Sequence, residues 1–338
     1  MKRKSIYWIY WILALCGLLL ATSLFSLCTG SVGIPLKKIL EVIFTGKGTT
    51  EYSIIFNVRL PRIILGFAIG GALALSGVIL QGMFRNPLVE PYTLGISGGA
   101  ALGVCLNIIF RLYQTFTVST LPLFGFLGAL LVILLVYFLS IKKGILKITE
   151  LLLTGVMISF ISSSLIMLIM AVSRAEDLHG IIFWIMGSLE EPNLILIKLA
   201  LLISTIGLII SYLFWKDLNA FLLGEEEALH LGINTERTKR LLFILSSFLT
   251  GCSVSVAGII GFVGLVVPHF IRMFVGTDHR ILLISAFLSG ASFLIFCDTL
   301  ARIIISPLEL PVGVVTGILG GSIFIYVLSK KQIILGGK

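Results

Sequence analysis

Apolar runs of about the length needed to cross a bilayer recur from one end of this chain to the other. They dictate the solvent it folds in. A spanning helix takes about 20 mainly apolar residues. Ten stretches meet or approach that length: 6–28, 60–82, 93–111, 121–141, 150–172, 193–214, 241–258, 259–276, 281–303 and 310–329. In hydrocarbon every backbone N–H and C=O must be satisfied within the protein, which leaves helices or a closed barrel. Runs this long predict helices. Composition agrees: 58% of the 338 residues are hydrophobic and 12% are charged, where a soluble chain carries roughly 25%. The expected fold is all-α and polytopic, with about ten transmembrane helices. It forms a single domain, 1–338, with no soluble module.

Two stretches read ambiguously. Residues 241–276 carry Gly251, Gly258, Gly261 and Gly264 and no polar loop, so they predict either a tight hairpin or one broken element. The segment LHGIIFWIMGS, 178–188, is too short to span. It reads as an interfacial helix anchored by Trp184. The N-terminus imitates a signal peptide, but its apolar stretch is too long and no A-x-A-like cleavage site follows. Cleavage before Cys28, as in a lipoprotein, would want a small residue where Leu27 stands. The stretch is expected to remain as the first span. The five cysteines sit in apolar runs, without CxxC spacing or a nearby histidine, and read as small packing residues.

The formal charge of +9 would suggest nucleic acid in a soluble chain. Here the basic residues gather at the ends of the apolar runs. That points to a lipid bilayer and to membrane orientation, with no nucleic acid. With the N-terminus inside, the inner loops hold 16 of the 25 Lys and Arg and the outer loops nine, which supports N-in and C-in. Arg59 and Arg62, in NVRLPRIILG at 57–66, then fall on the outer side against the trend. So does Arg302, at the outer end of the ninth stretch.

No GxxxxGK[ST] phosphate loop and no HExxH occur. His179, His230, His269 and His279 are scattered, so neither a metal site nor an enzyme is expected. Buried carboxylates of the kind an ion-coupled carrier uses are scarce, Asp298 near Arg302 being the exception. In RNPLVEPYTLGISGGA, 85–100, Asn86, Pro87, Pro91 and Gly95 predict an interrupted helix hairpin or irregular backbone lining a cavity. The loop KDLNAFLLGEEEALHLGINTERTKR, 216–240, is the longest and most polar inner segment. It predicts a short helix ended by Gly232 and the start of the next helix, serving as a solvated connector or a docking surface. A further stretch, 261–280, holds Pro268 and His269. In 309–324, Pro311 starts a helix whose Gly313, Gly317 and Gly321 share a face. That spacing suits helix packing or a symmetric dimer seam.

RLPR, then LALSGVILQGMFRNPLVEPYTLGISGGA, GFVGLVVPHFIRMFVGTDHR and ELPVGVVTGILGGSIFI, in that order, resemble the signature segments of the FecCD family. These are the permeases of binding-protein-dependent ABC importers for iron-siderophores, haem and cobalamin. The likeness runs from the RLPR segment almost to the C-terminus. It implies a cobalamin-permease-like fold in the bacterial cytoplasmic membrane, with two copies, or one copy and a close paralogue, flanking the path. Two ATP-binding subunits would dock on the 216–240 loop, where Gly224, Glu225, Glu226, Ala228, Leu231, Gly232 and Ile233 match the coupling segment. An extracytoplasmic binding protein would present glutamates to Arg59, Arg62 and Arg302, for which the planar guanidinium fork is suited. Reversing Arg59 and Arg62 to Glu would then leave the chain inserted but abolish uptake. The cytoplasmic narrowing would fall at Ile148 and Thr149, where the family's pair is small and hydroxylated and Ile148 departs from it. ATP hydrolysis would sit on a partner subunit, with no resident cofactor. The cargo implied is a metal chelate, first an iron-siderophore, with haem, cobalamin or molybdate as alternatives. Two rivals differ in kind. An ion-coupled secondary transporter predicts buried acids in the spans, and a structural membrane subunit predicts no outward basic site.

Overall fold

The computed structural model describes residues 2–46, 48–115, 120–142, 144–191 and 193–335. The chain begins with α1 (Lys2–Cys28), α2 (Leu36–Thr45) and α3 (Thr50–Ser53). A π-helical turn, Ile54–Arg59, leads into α4 (Leu60–Phe84). Next come a 3-10 turn (Pro91–Leu94), α5 (Ile96–Ile109), α6 (Leu112–Thr115) and α7 (Thr120–Ser140). A two-stranded hairpin, β1 (Ile141–Lys142) and β2 (Ile145–Leu146), precedes α8 (Ile148–Val172) and α9 (Ala175–Met186). Then follow α10 (Leu194–Leu213), α11 (Trp215–Phe221), α12 (Glu225–His230) and α13 (Thr235–Ala257). The chain finishes with α14 (Val263–Val275), α15 (His279–Ile303) and α16 (Val312–Leu335).

Among the described residues, seven helices are long and apolar enough to cross a membrane. They are Ile6–Cys28, the continuous Thr50–Phe84, α7, α8, α10, α13 and α15. Three more, α5, α14 and Val312–Val327, are apolar but shorter. Each of the ten sequence stretches therefore holds an apolar helix, but α5 and α14 fall short of a full span. Local chemistry gives the reason. The proline-rich segment after Phe84 delays α5 to Ile96, and a break at Gly258–Phe262 delays α14. The break also resolves the ambiguity over 241–276: there are two helices, each packed on α4. The second span begins ten residues earlier than expected, because α3 and the π-helical turn continue it outward from Leu60.

Helix α4 is buried almost throughout, with α10, α13, α14 and α15 around it. Lipid removes the hydrophobic drive between helices, so close backbone approach must hold them. A Cβ on Gly70 would lie 2.3 Å from the Gly290 carbonyl oxygen, and one on Gly77 only 1.9 Å from that of Gly264. The peripheral α1, α7, α8 and α10 instead turn rows of leucine, isoleucine and phenylalanine outward, as a lipid-facing shell does.

Residues 85–88 are exposed, and from Val89 to Gly95 the segment turns back into the protein. Asn86 Oδ1 accepts from the Leu88 N–H at 2.9 Å. Pro91 opens the 3-10 turn, and its ring lies where a Cβ on Gly264 would fall, 2.6 Å away. Gly95 closes the turn at φ 81°, a conformation that glycine adopts freely. The Tyr92 hydroxyl donates to the Ile260 carbonyl at 3.0 Å and accepts from the Ile260 N–H at 3.1 Å. Glu90 accepts from the Phe262 N–H at 2.8 Å and so holds a non-glycine residue at φ 68°. The irregular backbone is thus bonded to the α13–α14 break, which is how such backbone survives at membrane depth.

Candidate docking sites at the two ends

Side-chain bonds sort the loops into two ends. Arg302 and Arg62 join the loop after α1, the start of α4, the loop after α9 and the loop after α15. At the opposite end, Lys239, Arg240 and Asp278 join the β hairpin, α11, α12, α13 and the start of α15.

The structure brings Arg59, Arg62 and Arg302 together, as the resemblance implies, but buries them, with only 2, 5 and 3% of their surface exposed. Two of the three hold the segment at the end of α1. Helix α1 ends with carbonyls that have no helical partner. Arg59 donates to the carbonyls of Leu27 and Val32. Arg302 donates to Ser26 Oγ at 2.7 Å and to the Thr29 carbonyl at 3.4 Å. A cation at a helix C-terminus also meets the negative end of its dipole. Arg302 Nε further donates to Asp298 at 3.1 Å, so the pair flagged in the sequence is a real one. Arg62 differs. It lies 2.6 Å from Glu309, 3.3 Å from Glu190 and 4.0 Å from Asp298. The side chains of Glu309 and Glu190 are 40 and 74% exposed. No local spacing pairs Arg62 with Glu309, because 247 residues separate them. A cavity of about 530 Å³ opens beside the cluster, lined by Arg62, Arg302, Asp298, Glu190, Glu309 and Trp184.

Burial corrects two expectations. Charge reversal at Arg62 would place a carboxylate against Asp298 and Glu309 inside the protein, so it tests folding as much as docking. Trp184 packs between two parts of the core rather than anchoring a surface helix; Phe183 beside it is the exposed aromatic of α9.

At the opposite end the 216–240 loop is ordered by α11, α12 and the first turn of α13. Glu225 reaches Lys239 at 2.6 Å, and Glu236 also pairs with Lys239. Lys239 donates to the Leu146 carbonyl at 3.1 Å, and Glu236 accepts from the Leu146 N–H at 2.9 Å. Lys239 is 2% exposed; its two carboxylates are what make that burial tolerable. Gly224 and Gly232 take positive φ at the two ends of α12, Ala228 is buried, and Ile233 closes the turn onto the Ala228 carbonyl at 3.1 Å. Of the matched coupling residues, Glu226 and Leu231 face outward, and Leu223 and Leu229 join them as exposed leucines on a polar shelf. Leucines in an otherwise polar inner loop were the signal available in sequence. Nearby, Asp278 caps α15. Hydrogen bonds from Arg280, then from Asn219, hold its carboxyl down at about 2. Ile148 opens α8 half-buried, and Thr149 beside it is exposed, directly after the hairpin that Lys239 grips.

Pro268 lies within α14, and the buried His269 ring meets Phe324 of α16 edge-on at 5.7 Å. Pro311 precedes α16. The glycine seam expected on α16 divides. A Cβ on Gly313 would lie 2.3 Å from the Met186 carbonyl oxygen, whereas Gly317 faces open space and Gly321 makes ordinary contact. Gly320 takes the close approach instead, against Phe262 at 2.5 Å.

The structure is a mostly helical, multi-pass bundle packed through glycines, with charged clusters at both ends, and comparison with known proteins places it among transport permeases. The chain belongs to the FecCD transport family, which it matches over residues 18–330. It is an ABC importer permease and a multi-pass protein of the cytoplasmic membrane. It is similar to the hemin transport system permease protein HmuU of Yersinia pestis, 40% identical over 85% of this chain and 86% of that protein. It is also similar to the molybdate import system permease protein MolB of Haemophilus influenzae, 38% identical over 91% of each. A solved ABC transporter assigned to the metal-chelate type, in an inward-facing conformation, superimposes with a TM-score of 0.84. It is 34% identical and covers 94% of this chain and 98% of that one.

Proposed function

We propose that this permease carries a metal chelate, in the first instance an iron-siderophore, as one half of a homodimer with the path between the two copies. The chain acts as one transmembrane domain of ten crossings, with the Lys239 end in the cytoplasm. The observation that carries this reading is the division of labour between the ends. One presents Arg62 to exposed carboxylates beside an open cavity. The other presents a rigid shelf of exposed leucines over a buried ion cluster. The shelf docks a separate ATP-binding subunit, one per copy, and Ile148 and Thr149 narrow the path beside it. The Arg62 end docks a binding protein, whose carboxylate takes over Arg62 from Glu309 and Glu190. Arg59 and Arg302 hold the end of α1 in place and add to the positive field. The cargo reading rests on the metal-chelate neighbour and on HmuU. MolB supports molybdate as the second reading, and haem and cobalamin remain alternatives of the same mechanism.

The test is to purify the tagged chain in mild detergent and determine what accompanies it, with stoichiometry. Two ATP-binding subunits with two copies of the chain are the expected result. The chain alone, under conditions where related importers stay intact, would overturn the reading. Uptake of labelled ferric siderophore, haem, cobalamin and molybdate by the reconstituted complex then decides the cargo. For docking, Glu190→Gln with Glu309→Gln removes the internal competitors of Arg62 without burying a new charge. It is expected to tighten binding-protein affinity by roughly tenfold, the scale of one charge-assisted contact. Unchanged affinity would exclude Arg62 as the docking group.

A further inference from the structure

A second cavity, about 570 Å³, lies at the Lys239 end between the turn after α4, Leu222 and the last turn of α14. Arg85, Arg272, Gln81, Asn86 and Thr277 line it, and no acidic residue does. Arg272 keeps Nε and Nη2 out of solvent with no hydrogen-bond partner among the described residues. The Arg85 side chain is exposed and makes no hydrogen bond or ion pair with a described residue. Arg85 caps α4 at φ 51°, a left-handed conformation that non-glycine residues hold only where the surroundings impose it. Its Nη1 comes within 3.5 Å of the position a Cβ would take on Gly224, so the guanidinium extends from α4 toward α12.

Two other cations at this end have carboxylate partners, and Arg240 donates to the Gly144 carbonyl. Lys239 has Glu225 and Glu236, and Arg280 has Asp278. A desolvated guanidinium with no counter-charge is costly, and an anion relieves it. Two guanidinium forks on one cavity suit a tetrahedral oxyanion, which accepts paired donors from several directions. Asn86 adds a third donor, because its Oδ1 is already engaged by Leu88 and its Nδ2 is left over. Met273 of α14 lines the cavity exposed, and the adjoining Phe270 and Phe274 line an apolar groove against α1, surface that an acyl chain would cover. Basic pockets between membrane helices hold phosphate headgroups in this way.

We propose that the Arg85–Arg272 cavity is a phosphate-binding site, filled by the headgroup of an anionic phospholipid or by a free phosphate group. It is distinct from the Arg62 cluster and from the leucine shelf, and it stands whether or not those dock partners. The full-length chain in a neutral detergent is titrated with short-chain phosphatidylglycerol, and separately with inorganic phosphate against chloride at equal ionic strength. The readout is the thermal unfolding midpoint. A saturable rise is expected, and Arg85→Gln with Arg272→Gln is expected to weaken the apparent affinity at least tenfold. Arg272→Lys keeps the charge and loses the fork, so it should fall between. Saturation by phosphatidylglycerol where phosphate does nothing identifies the lipid headgroup; the reverse identifies free phosphate. Met273→Trp narrows the mouth of the cavity without touching either arginine. It must also weaken binding, which keeps the test decisive if the double variant fails to fold. No saturable shift in the unsubstituted chain, or an equal shift in all variants, overturns the site.

Discussion

Asp298 stands between Arg62 and Arg302, and all three are buried. Removing one member of a buried ion cluster leaves uncompensated charge, which costs more than the cluster's net contribution. Asp298→Asn is therefore expected to lower stability by about 3 kcal/mol, read as a drop in the thermal unfolding midpoint of the detergent-solubilised chain. A midpoint equal to that of the unsubstituted chain would mean that Glu309 and Glu190 suffice for Arg62. The sequence showed that three arginines break the orientation trend, and that Asp298 lies one turn from Arg302. It could not show that Arg59 and Arg302 cap the carbonyl end of α1. A cap across 32 or 276 residues is a tertiary contact with no local spacing to betray it.

Among the elements, α4 and α12 are read most directly from sequence, for opposite reasons. Helix α4 is held by the absence of side chains. Gly77→Ala would drive a methyl into the Gly264 carbonyl, so the helices must separate. The expected cost is about 1–3 kcal/mol, as for an overpacked core, seen as poor expression and a lowered midpoint. Gly317→Ala, on open space, is the control and should be neutral. Helix α12 was legible through its glycine stops. Its outward leucines predict that Leu229→Glu with Leu231→Glu leaves the unfolding midpoint of the chain unchanged while co-purification of an ATP-binding subunit is lost. Retention of that subunit at normal stoichiometry would move the docking surface elsewhere. What the sequence could not separate was which coupling residues face a partner. Glu225 reads like Glu226, and both are exposed, yet it is Glu225 that is bonded to Lys239.

For the whole molecule, hydrophobic run length identified an apolar helix in every expected stretch but overstated the length of two, α5 and α14. Prolines and the positive-φ break shorten helices without changing mean hydropathy. The proposed second copy is suggested in the sequence by the resemblance and by a glycine seam, of which the structure uses Gly313 within the chain. What remains on α16 is the open Gly317 with exposed Val314 and Ile318. If copies meet there, Gly317→Leu should dissociate the dimer while each chain stays folded, measured as a halved mass by light scattering in matched detergent. An unchanged dimer mass would remove α16 from the interface.

Lys239 gives the shelf a mechanical property. One ammonium is fastened to α12 through Glu225, to its own helix through Glu236, and to the hairpin through the Leu146 carbonyl. Ile148 lies two residues beyond that carbonyl. A push on α12 therefore has almost no slack to take up before it reaches the foot of α8. Under the proposed coupling the three pieces would act as a single crank, joined by one buried lysine.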